Sequence, residues 1–212
     1  MKLPLFPLKS VFFPGETVPL HIFEPRYKEL IEDCRREALT FGIPVFLEDT
    51  LSYGTEVQLA EVVNTYENGE MDVICLARQV FRIVSFVNPM EGKGYAGGEV
   101  EFLDMENRGD PALVQVVLQG LEKLYDLMGL PFPMIPANRF NSYTLAHKMG
   151  LSFEQEFELL KMHRETDRLI FIKEHLDSTI NILDQIDRTK AAIEMNGHFK
   201  NFDPLDFKNL KI

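Results

Sequence analysis

The chain has 212 residues, of which 45% are hydrophobic and 26% are charged, a composition ordinary for a globular protein. Its 22 basic and 33 acidic residues give a formal net charge of −11, which disfavours nucleic acid and anionic lipid as partners. Its apolar runs are shorter than the roughly 20 residues that cross a bilayer, and its N-terminus carries no signal-peptide pattern, so we expect a cytoplasmic protein without a membrane partner.

The first forty residues predict a strand, a turn, a second strand and a helix. Pro14-Gly15 is typical of a turn, because proline presets φ and glycine accepts a positive φ. Apolar residues alternate between positions 18 and 22, as in a half-buried strand. Pro25 suits the first position of a helix. The apolar stripe of this helix comprises Tyr27, Leu30, Ile31, Cys34 and Ala38. Its charged residues, Asp33 among them, are expected to face water.

The next sixty residues predict the rest of a sheet. The apolar run 41–47 indicates a buried strand, and Gly54 indicates a loop at 51–55. Asn68-Gly69 is the strongest hairpin signal, because a type I′ turn needs positive φ at both central positions. It separates strands at 57–66 and 71–87, the second with a bulge or a break expected near Arg78-Gln79. A last short strand is predicted at 99–103.

Helical patterns dominate after residue 107. Asp110-Pro111 is typical of a helix start, with Asp as the cap and Pro at the first helical position. A helix ending near Gly129 is followed by a connector rich in proline at 130–139. A short helix is predicted at 142–149, and Ser152 opens a capping box. A long helix follows from Glu165 to about Met195.

Strands followed by helices predict an α+β protein. We place a β lobe with one early helix at 1–107, a helical lobe at 108–196 and a C-terminal tail at 197–212.

The opening of the chain carries a family resemblance. The segments LPLFPL and VFFPGETVPLHIFEPRY resemble the N-terminal substrate-recognition (LON) domain of Lon-type ATP-dependent proteases. The likeness continues through FGIPVF, VFRI and the helices after Asn141, and so covers most of residues 1–187. It implies a PUA-like β-barrel lobe followed by a C-terminal α-helical bundle. It also implies a recognition domain standing alone, since nothing in the sequence resembles the ATPase or the protease.

Motifs that would indicate other chemistry are weak or missing. Residues 92–97 match GxGxxG, but they precede a strand pattern where the dinucleotide fingerprint opens a helix. No Walker A loop or GxSxG elbow occurs, and the five histidines lack metal-ligand spacing. Cys34 and Cys75 are interpreted as small buried apolar residues. We therefore predict no catalytic residue, no cofactor and no metal.

Candidate binding residues lie at the start of the first helix and in the proline connector. They are Phe23, Glu24, Arg26, Tyr27 and Phe132. Arg26 is the most informative of them, because the helix dipole disfavours a cation in the first turn. Two interpretations stay open for it: a salt bridge that holds the helix to the β-barrel, and a contact to a ligand. Phe132 belongs to the connector between the lobes, and clefts between lobes are common binding sites.

Three functions are weighed. The resemblance implies a non-enzymatic module that binds unfolded or extended polypeptides and works with a separate ATPase or protease. An RNA-binding PUA-like module is the first alternative, and the acidic charge disfavours it. An unrecognised hydrolase is the second, with only scattered Ser, His and Asp residues behind it.

Overall fold

The computed structural model describes residues 1–199, with side chains through Glu194. Of the predicted tail at 197–212, residues 197–199 belong to a helix, and the residues from 200 onward lie outside the described residues. The chain packs as two compact units. The first comprises Met1–Gly109 and Asn141–Arg168, and the second comprises Asp110–Phe140 and the chain from Leu169. The predicted domain boundary at residue 107 lies close to the first change of unit, while the division into domains stays a prediction.

The first unit is built on a six-stranded sheet with one early helix, α1 (Pro25–Glu37). Its strands are β1 (Lys2–Leu5), β2 (Thr17–Ile22), β3 (Thr40–Leu47), β4 (Thr50–Thr65), β5 (Met71–Val87) and β6 (Ala96–Phe102). The strand order is β2-β5-β4-β3-β1-β6, and β5 pairs with β6 as well. The pairing β5-β4-β3-β1-β6 therefore returns to β5, while β2 pairs with β5 alone.

The apolar stripe of α1 packs onto this sheet. Leu30, Ile31 and Cys34 of the helix join one buried cluster with β-strand residues from β2, β3, β4 and β5. Cys34 and Cys75 are both buried and free, as predicted. Ala38 departs from the predicted stripe, because it caps the helix in the left-handed conformation at φ 53° and is exposed.

Several local predictions are confirmed. Gly15 adopts φ 91°, and no heavy atom lies within 4 Å of the place that a Cβ would occupy, so the turn requires glycine for its φ alone. Strand β5 spans the predicted residues, and its register against β4 shifts between Ala77 and Val80, which leaves Arg78 and Gln79 as the expected bulge.

Other local predictions are wrong. Gly54 does not lie in a loop, because β4 runs through it. The turn between β4 and β5 is not type I′, since Gly69 has a positive φ (77°) and Asn68 does not. Residues 142–149 form turns with a 3-10 segment at Ala146–Lys148 and not an α-helix. The α+β class itself is confirmed, with a sheet-rich first part and helices that end in one long helix.

A buried ionic network ties together three segments of the first unit. Arg168 is 0% exposed, and its Nε donates to Ser142 Oγ at 2.9 Å and to Glu165 Oε2 at 3.0 Å. Its other nitrogens donate to the carbonyls of Met162 and Glu106 and to Asn107 Oδ1. Glu165 accepts in addition from the backbone N and the hydroxyl of Ser142. Every group of the network is thus paired, as buried charge requires.

The second unit is helical. Helix α2 (Pro111–Leu127) starts at Asp110, whose carboxylate accepts from Ala112 N at 2.9 Å as the cap predicts. Its buried face comprises Val114, Val117, Leu121, Leu124 and Tyr125. Val116 of the same helix lies outside this face and is exposed. Helix α4 (Glu165–Phe199) begins in the first unit and continues into the second, where Leu176 packs against Gly120 of α2.

His147 links the turn before β2 to α3 (Phe153–Lys161), which the predicted capping box of Ser152 opens. Its Nε2 lies 3.1 Å from Glu16 Oε1, and its Nδ1 lies 2.8 Å from Glu156 Oε1. The hydrogen bond to Glu16, helped by Glu156, outweighs burial and raises the pKa of His147 to about 9.

We expect the stability of the protein to fall as the pH rises from about 6.5 to about 9. The pKa of His147 in the folded state lies above the unfolded value of about 6.5. Protonated His147 therefore stabilises the fold fully below pH 6.5, and this contribution is lost as the pH passes the folded pKa. The measurement is the urea midpoint at about pH 6 and about pH 9.5 for wild type and for His147→Gln.

The variant should lose less stability over this interval than wild type. His21, whose pKa is also raised, titrates in both proteins and cancels in the comparison. Parallel pH dependences in the two proteins would contradict the role assigned to His147.

Candidate functional site

The start of α1 brings four of the predicted binding residues together. Glu24 is the cap residue in extended conformation, and its carbonyl accepts from the backbone N of Tyr27 and Lys28. Pro25 takes the first helical position, as its fixed φ favours. Tyr27 is only 7% exposed and stacks on Phe6 with ring centroids 3.7 Å apart. Its ring therefore packs below the helix start and leaves little surface that a ligand could contact.

Arg26 is held by its neighbours on the surface. Its Nε donates to Glu24 Oε2 at 2.9 Å, and its Nη2 lies 2.6 Å from the same oxygen. Its guanidinium also lies over the Tyr27 ring, 4.7 Å from the centroid. The carboxylate and the ring offset the unfavourable helix dipole. The carboxylate partner is the expected one, but it belongs to the cap of the same helix, so this ion pair does not join the helix to the sheet.

We expect Arg26→Met to lower the free energy of unfolding by about 0.5–1 kcal/mol, because both partners of the ion pair are more than a third exposed. Arg26→Lys should recover only part of this, since lysine cannot reproduce the planar contact with Glu24 and Tyr27. Chemical denaturation of the three proteins measures the effect. Variants that unfold like wild type but lose affinity for polypeptide would favour the ligand-contact interpretation instead.

An exposed aromatic row lies next to this helix start. Phe23 is 58% exposed and stacks beside His21 at 6.2 Å between centroids, and His21 meets Tyr66 edge-on at 6.0 Å. Tyr66 is 43% exposed at the turn after β4. We call Phe23, His21 and Tyr66 the aromatic row. Most apolar side chains of this size are buried, so two exposed rings, each next to His21, indicate a contact surface.

Two carboxylates fix the aromatic row. Asp72 Oδ1 lies 2.7 Å from His21 Nδ1, and Asp72 Oδ2 accepts from Tyr66 Oη at 2.6 Å. Glu70 Oε2 lies 3.2 Å from His21 Nε2. The hydrogen bond that Asp72 accepts from His21 raises the pKa of His21, and the hydrogen bond that Tyr66 donates to Asp72 lowers the pKa of Asp72. The row thus combines apolar rings with an acidic border, which suits apolar and basic side chains of a partner.

Hydrogen bonds attach helix α1 to the sheet next to the aromatic row. Lys28 Nζ donates to the carbonyl of Asn68 in the turn between β4 and β5. Asp33 is buried and binds Lys93 Nζ at 2.5 Å and Tyr95 Oη at 2.7 Å. The expectation that Asp33 faces water is therefore wrong. Its pKa is lowered, chiefly by the hydrogen bond from Lys93, so it stays ionised as the anchor of the loop after β5.

Residues of the GxGxxG segment attach the loop after β5 to helix α1. Gly94 N donates to Glu29 Oε2 at 3.0 Å, and a Cβ at Gly94 would lie 2.8 Å from that oxygen. Lys93 and Gly94 thus bind the carboxylates of Asp33 and Glu29 on α1.

Phe132 lies in the second unit, apart in the chain from the other candidates. Its ring meets Tyr125 edge-on at 5.4 Å. It also borders a cavity of about 390 Å³ between α2 and the proline connector, together with Leu118, Met134 and Ile135.

Reactive chemistry has little support in the described part of the chain. Among residues 1–194, whose side chains the structure describes, no group of three or more His, Cys, Asp and Glu side chains is arranged to hold a metal ion. Burial raises the pKa of the Cys34 and Cys75 thiols to about 12, which keeps both protonated. Within the same residues, no helix has the length and apolar character that crossing a bilayer requires.

Comparison with known proteins decides the family. The model of the ATP-dependent protease La (LON) substrate-binding domain matches residues 2–178. The chain belongs to the LON substrate-binding family. A Lon protease of Paraburkholderia phytofirmans is 26% identical over 139 residues, which make up 60% of this chain and 17% of that protein. The chain thus spans about a sixth of the length of this relative.

Two solved structures share the fold of this LON substrate-binding chain. The Lon N-terminal domain protein from Xanthomonas campestris matches with a TM-score of 0.64 and 27% identity, over 80% of this chain and 95% of that one. The N-terminal domain of the Mycobacterium avium complex Lon protease matches with a TM-score of 0.62 and 17% identity, over 84% and 98%. At that identity the second likeness shows the fold alone.

The sequence identifies one side of the aromatic row of this LON substrate-binding domain and misses the other. Phe23 is among the predicted binding residues, but Tyr66, Glu70 and Asp72 are not. The Asn68-Gly69 turn signal is enough to place Tyr66 near Asp72 across the hairpin. The pairing of His21 with Asp72 depends on the register between β2 and β5, which lie about fifty residues apart and leave no short-range signal.

Proposed function

We propose that this LON substrate-binding domain is a non-enzymatic module that binds unfolded or damaged polypeptide segments. The observation that supports this best is the aromatic row, where Phe23, directly after β2, and Tyr66, directly after β4, expose large rings. Unfolded chains differ from folded ones in offering apolar side chains to such a surface. A separate ATPase or protease would take over the segment that the module has bound.

The row is suited to weak binding. Burying apolar surface contributes about 25 cal/mol per Å². A flexible segment loses about 0.5–1.5 kcal/mol for each side chain that it immobilises, and an open row of two rings offsets this cost only in part. Weak, reversible contact fits a protein that must pass its ligand on to a partner.

The local charge supports a polypeptide over RNA. Aromatic rings could stack on bases in a PUA-like lobe. Glu70 and Asp72 border the rings, however, and the chain as a whole carries a net charge of −11. These carboxylates repel phosphates and accept basic side chains.

Truncation of the row tests the proposal. Phe23→Ala should weaken binding of a reduced, alkylated and therefore unfolded lactalbumin about fivefold or more, because exposed aromatic anchors dominate such contacts. Val84→Ala is the matched control, since Val84 is 52% exposed on β5 and outside the row. Equal affinities of wild type and Phe23→Ala, measured by fluorescence anisotropy of the labelled ligand, would overturn the role of the row.

A further inference from the structure

Strand β4 has a free edge beside α1. Its pairing with β3 runs from Leu47↔Thr50 to Thr40↔Gln58 and stops there. On its other side, β4 stays paired with β5 as far as Thr65↔Met71. Among the described residues, the stretch 59–65 of β4 therefore has a strand partner on one side and no strand on the other. Half of the backbone N–H and C=O groups along such an edge point away from the sheet and lack a ladder partner.

The end of α1 forms a wall along this edge. Leu39, Ala38 and Cys34 line a cavity of about 490 Å³ together with Leu59, Ala60 and Val62 of β4. Leu59 and Val62 are partly buried against the core under α1, and Leu39 keeps 36% of its surface exposed. We call this cavity and the free edge at 59–65 the edge groove. It has an apolar floor and an open backbone edge, the combination used by domains that bind peptides as an added strand.

The edge groove leads to the aromatic row. Seven residues of strand, 59–65, extend about 23 Å at about 3.3 Å per residue, and Tyr66 of the row follows directly. The β4–β5 register shifts at Ala60 and again at Val63, so strand β4 has a bulge at each of these two residues. Bulges twist an edge and prevent long, flat pairing, which limits the partner to one short segment.

The charged residues that line the edge groove favour a peptide backbone over a nucleic acid. Arg35 on the helix wall is already paired with Glu32 at 2.9 Å, and Glu61 stands on the strand wall. A nucleic acid needs a row of free basic groups, which these walls do not offer. An extended peptide needs hydrogen-bond partners for its backbone and apolar contact for alternate side chains.

We propose that the edge groove binds an extended client segment of about six residues as an added β-strand on β4, while its next apolar side chain contacts the aromatic row. This inference rests on the proposed function and names how the polypeptide is held. Affinity comes from the backbone, so the site accepts many sequences provided that they are unfolded. A folded protein keeps its backbone groups paired and therefore does not bind.

Filling the groove tests the inference. Ala60 is small and exposed, so Ala60→Arg places a long side chain in the groove at little cost to the fold. We expect this variant to bind reduced, alkylated lactalbumin at least about tenfold more weakly than wild type. Val84→Arg is the matched control on β5, whose residues 83–87 pair with β6 but not with β4. Circular dichroism should show that both variants are folded.

Hydrogen exchange supplies a readout that does not depend on substitution. Amides at 59–65 of wild type should exchange more slowly when the unfolded lactalbumin is bound, because an added strand pairs them. Unchanged exchange at 59–65 together with full affinity of Ala60→Arg would overturn the edge groove and leave the proposed function standing. If Val84→Arg loses binding and Ala60→Arg does not, the binding site lies on β5, and this too would overturn the inference. If wild type binds no unfolded lactalbumin at all, the proposed function fails first.

Discussion

Arg168→Met should destabilise the protein by about 3–5 kcal/mol, the largest effect that we expect from a single substitution. Methionine keeps much of the side-chain volume but removes every hydrogen bond that the guanidinium donates. Glu165, 2% exposed, would then be a buried carboxylate without its cation, and the carbonyls of Met162 and Glu106 would lose a donor. Removing one partner of a buried pair costs more than the pair itself contributes, since the remaining charge stays desolvated.

Arg164→Met is the control for this experiment. Arg164 lies four residues earlier, and its guanidinium is 3.5 Å from Glu106 with both side chains more than half exposed. Such a surface pair contributes about 0–1 kcal/mol. Urea unfolding followed by circular dichroism compares the two variants with wild type. Similar small losses in both would mean that the network around Arg168 is not a major source of stability.

Gly54→Ala should destabilise the protein by about 1–3 kcal/mol, although alanine normally stabilises a strand relative to glycine by about 0.5–1 kcal/mol. Whether the substitution lowers or raises the free energy of unfolding therefore tests the close contact at Gly54. A Cβ at Gly54 would lie 2.4 Å from the carbonyl oxygen of Ile43 and 2.5 Å from Pro44 Cα on the neighbouring strand. These are backbone atoms of a buried strand and cannot move aside as a flexible side chain could.

Ser52→Ala, two positions earlier in β4, is the control, because Ser52 is only partly buried. Its stability should stay within about 0.5 kcal/mol of wild type. A Gly54→Ala variant that is as stable as wild type, or more stable, would show that β3 and β4 are not in close contact at this point.

Gly54 also shows where sequence reasoning reaches its limit. Glycine indicates a loop when only local propensity is considered, and the close approach of Pro44 that requires glycine here is a tertiary fact. Asp33 is a similar case. It lies among the charged residues of α1, and only the loop that carries Lys93 and Tyr95, some sixty residues away, buries it.

Local signals are reliable where the cause is local. The turn at Gly15, the helix start at Pro25, the caps at Asp110 and Ser152 and the bulge at Arg78-Gln79 all depend on a few adjacent residues, and all are confirmed. For the site, the sequence brings Phe23 to Tyr27 together because they are neighbours in the chain. The free edge of β4 could not be predicted, since it depends on where the pairing with β3 ends.

We propose that this LON substrate-binding domain recognises unfolded polypeptide without cleaving it. The most direct measurement is a titration of the purified protein with lactalbumin in its reduced, alkylated form and in its folded form, at low and at high salt and without ATP. We expect weak binding of the unfolded form alone, with little dependence on salt because apolar and backbone contacts dominate, and an intact ligand after prolonged incubation. Equal affinity for both forms, binding abolished by salt, or fragments of the ligand in a preparation free of contaminating protease would contradict the account.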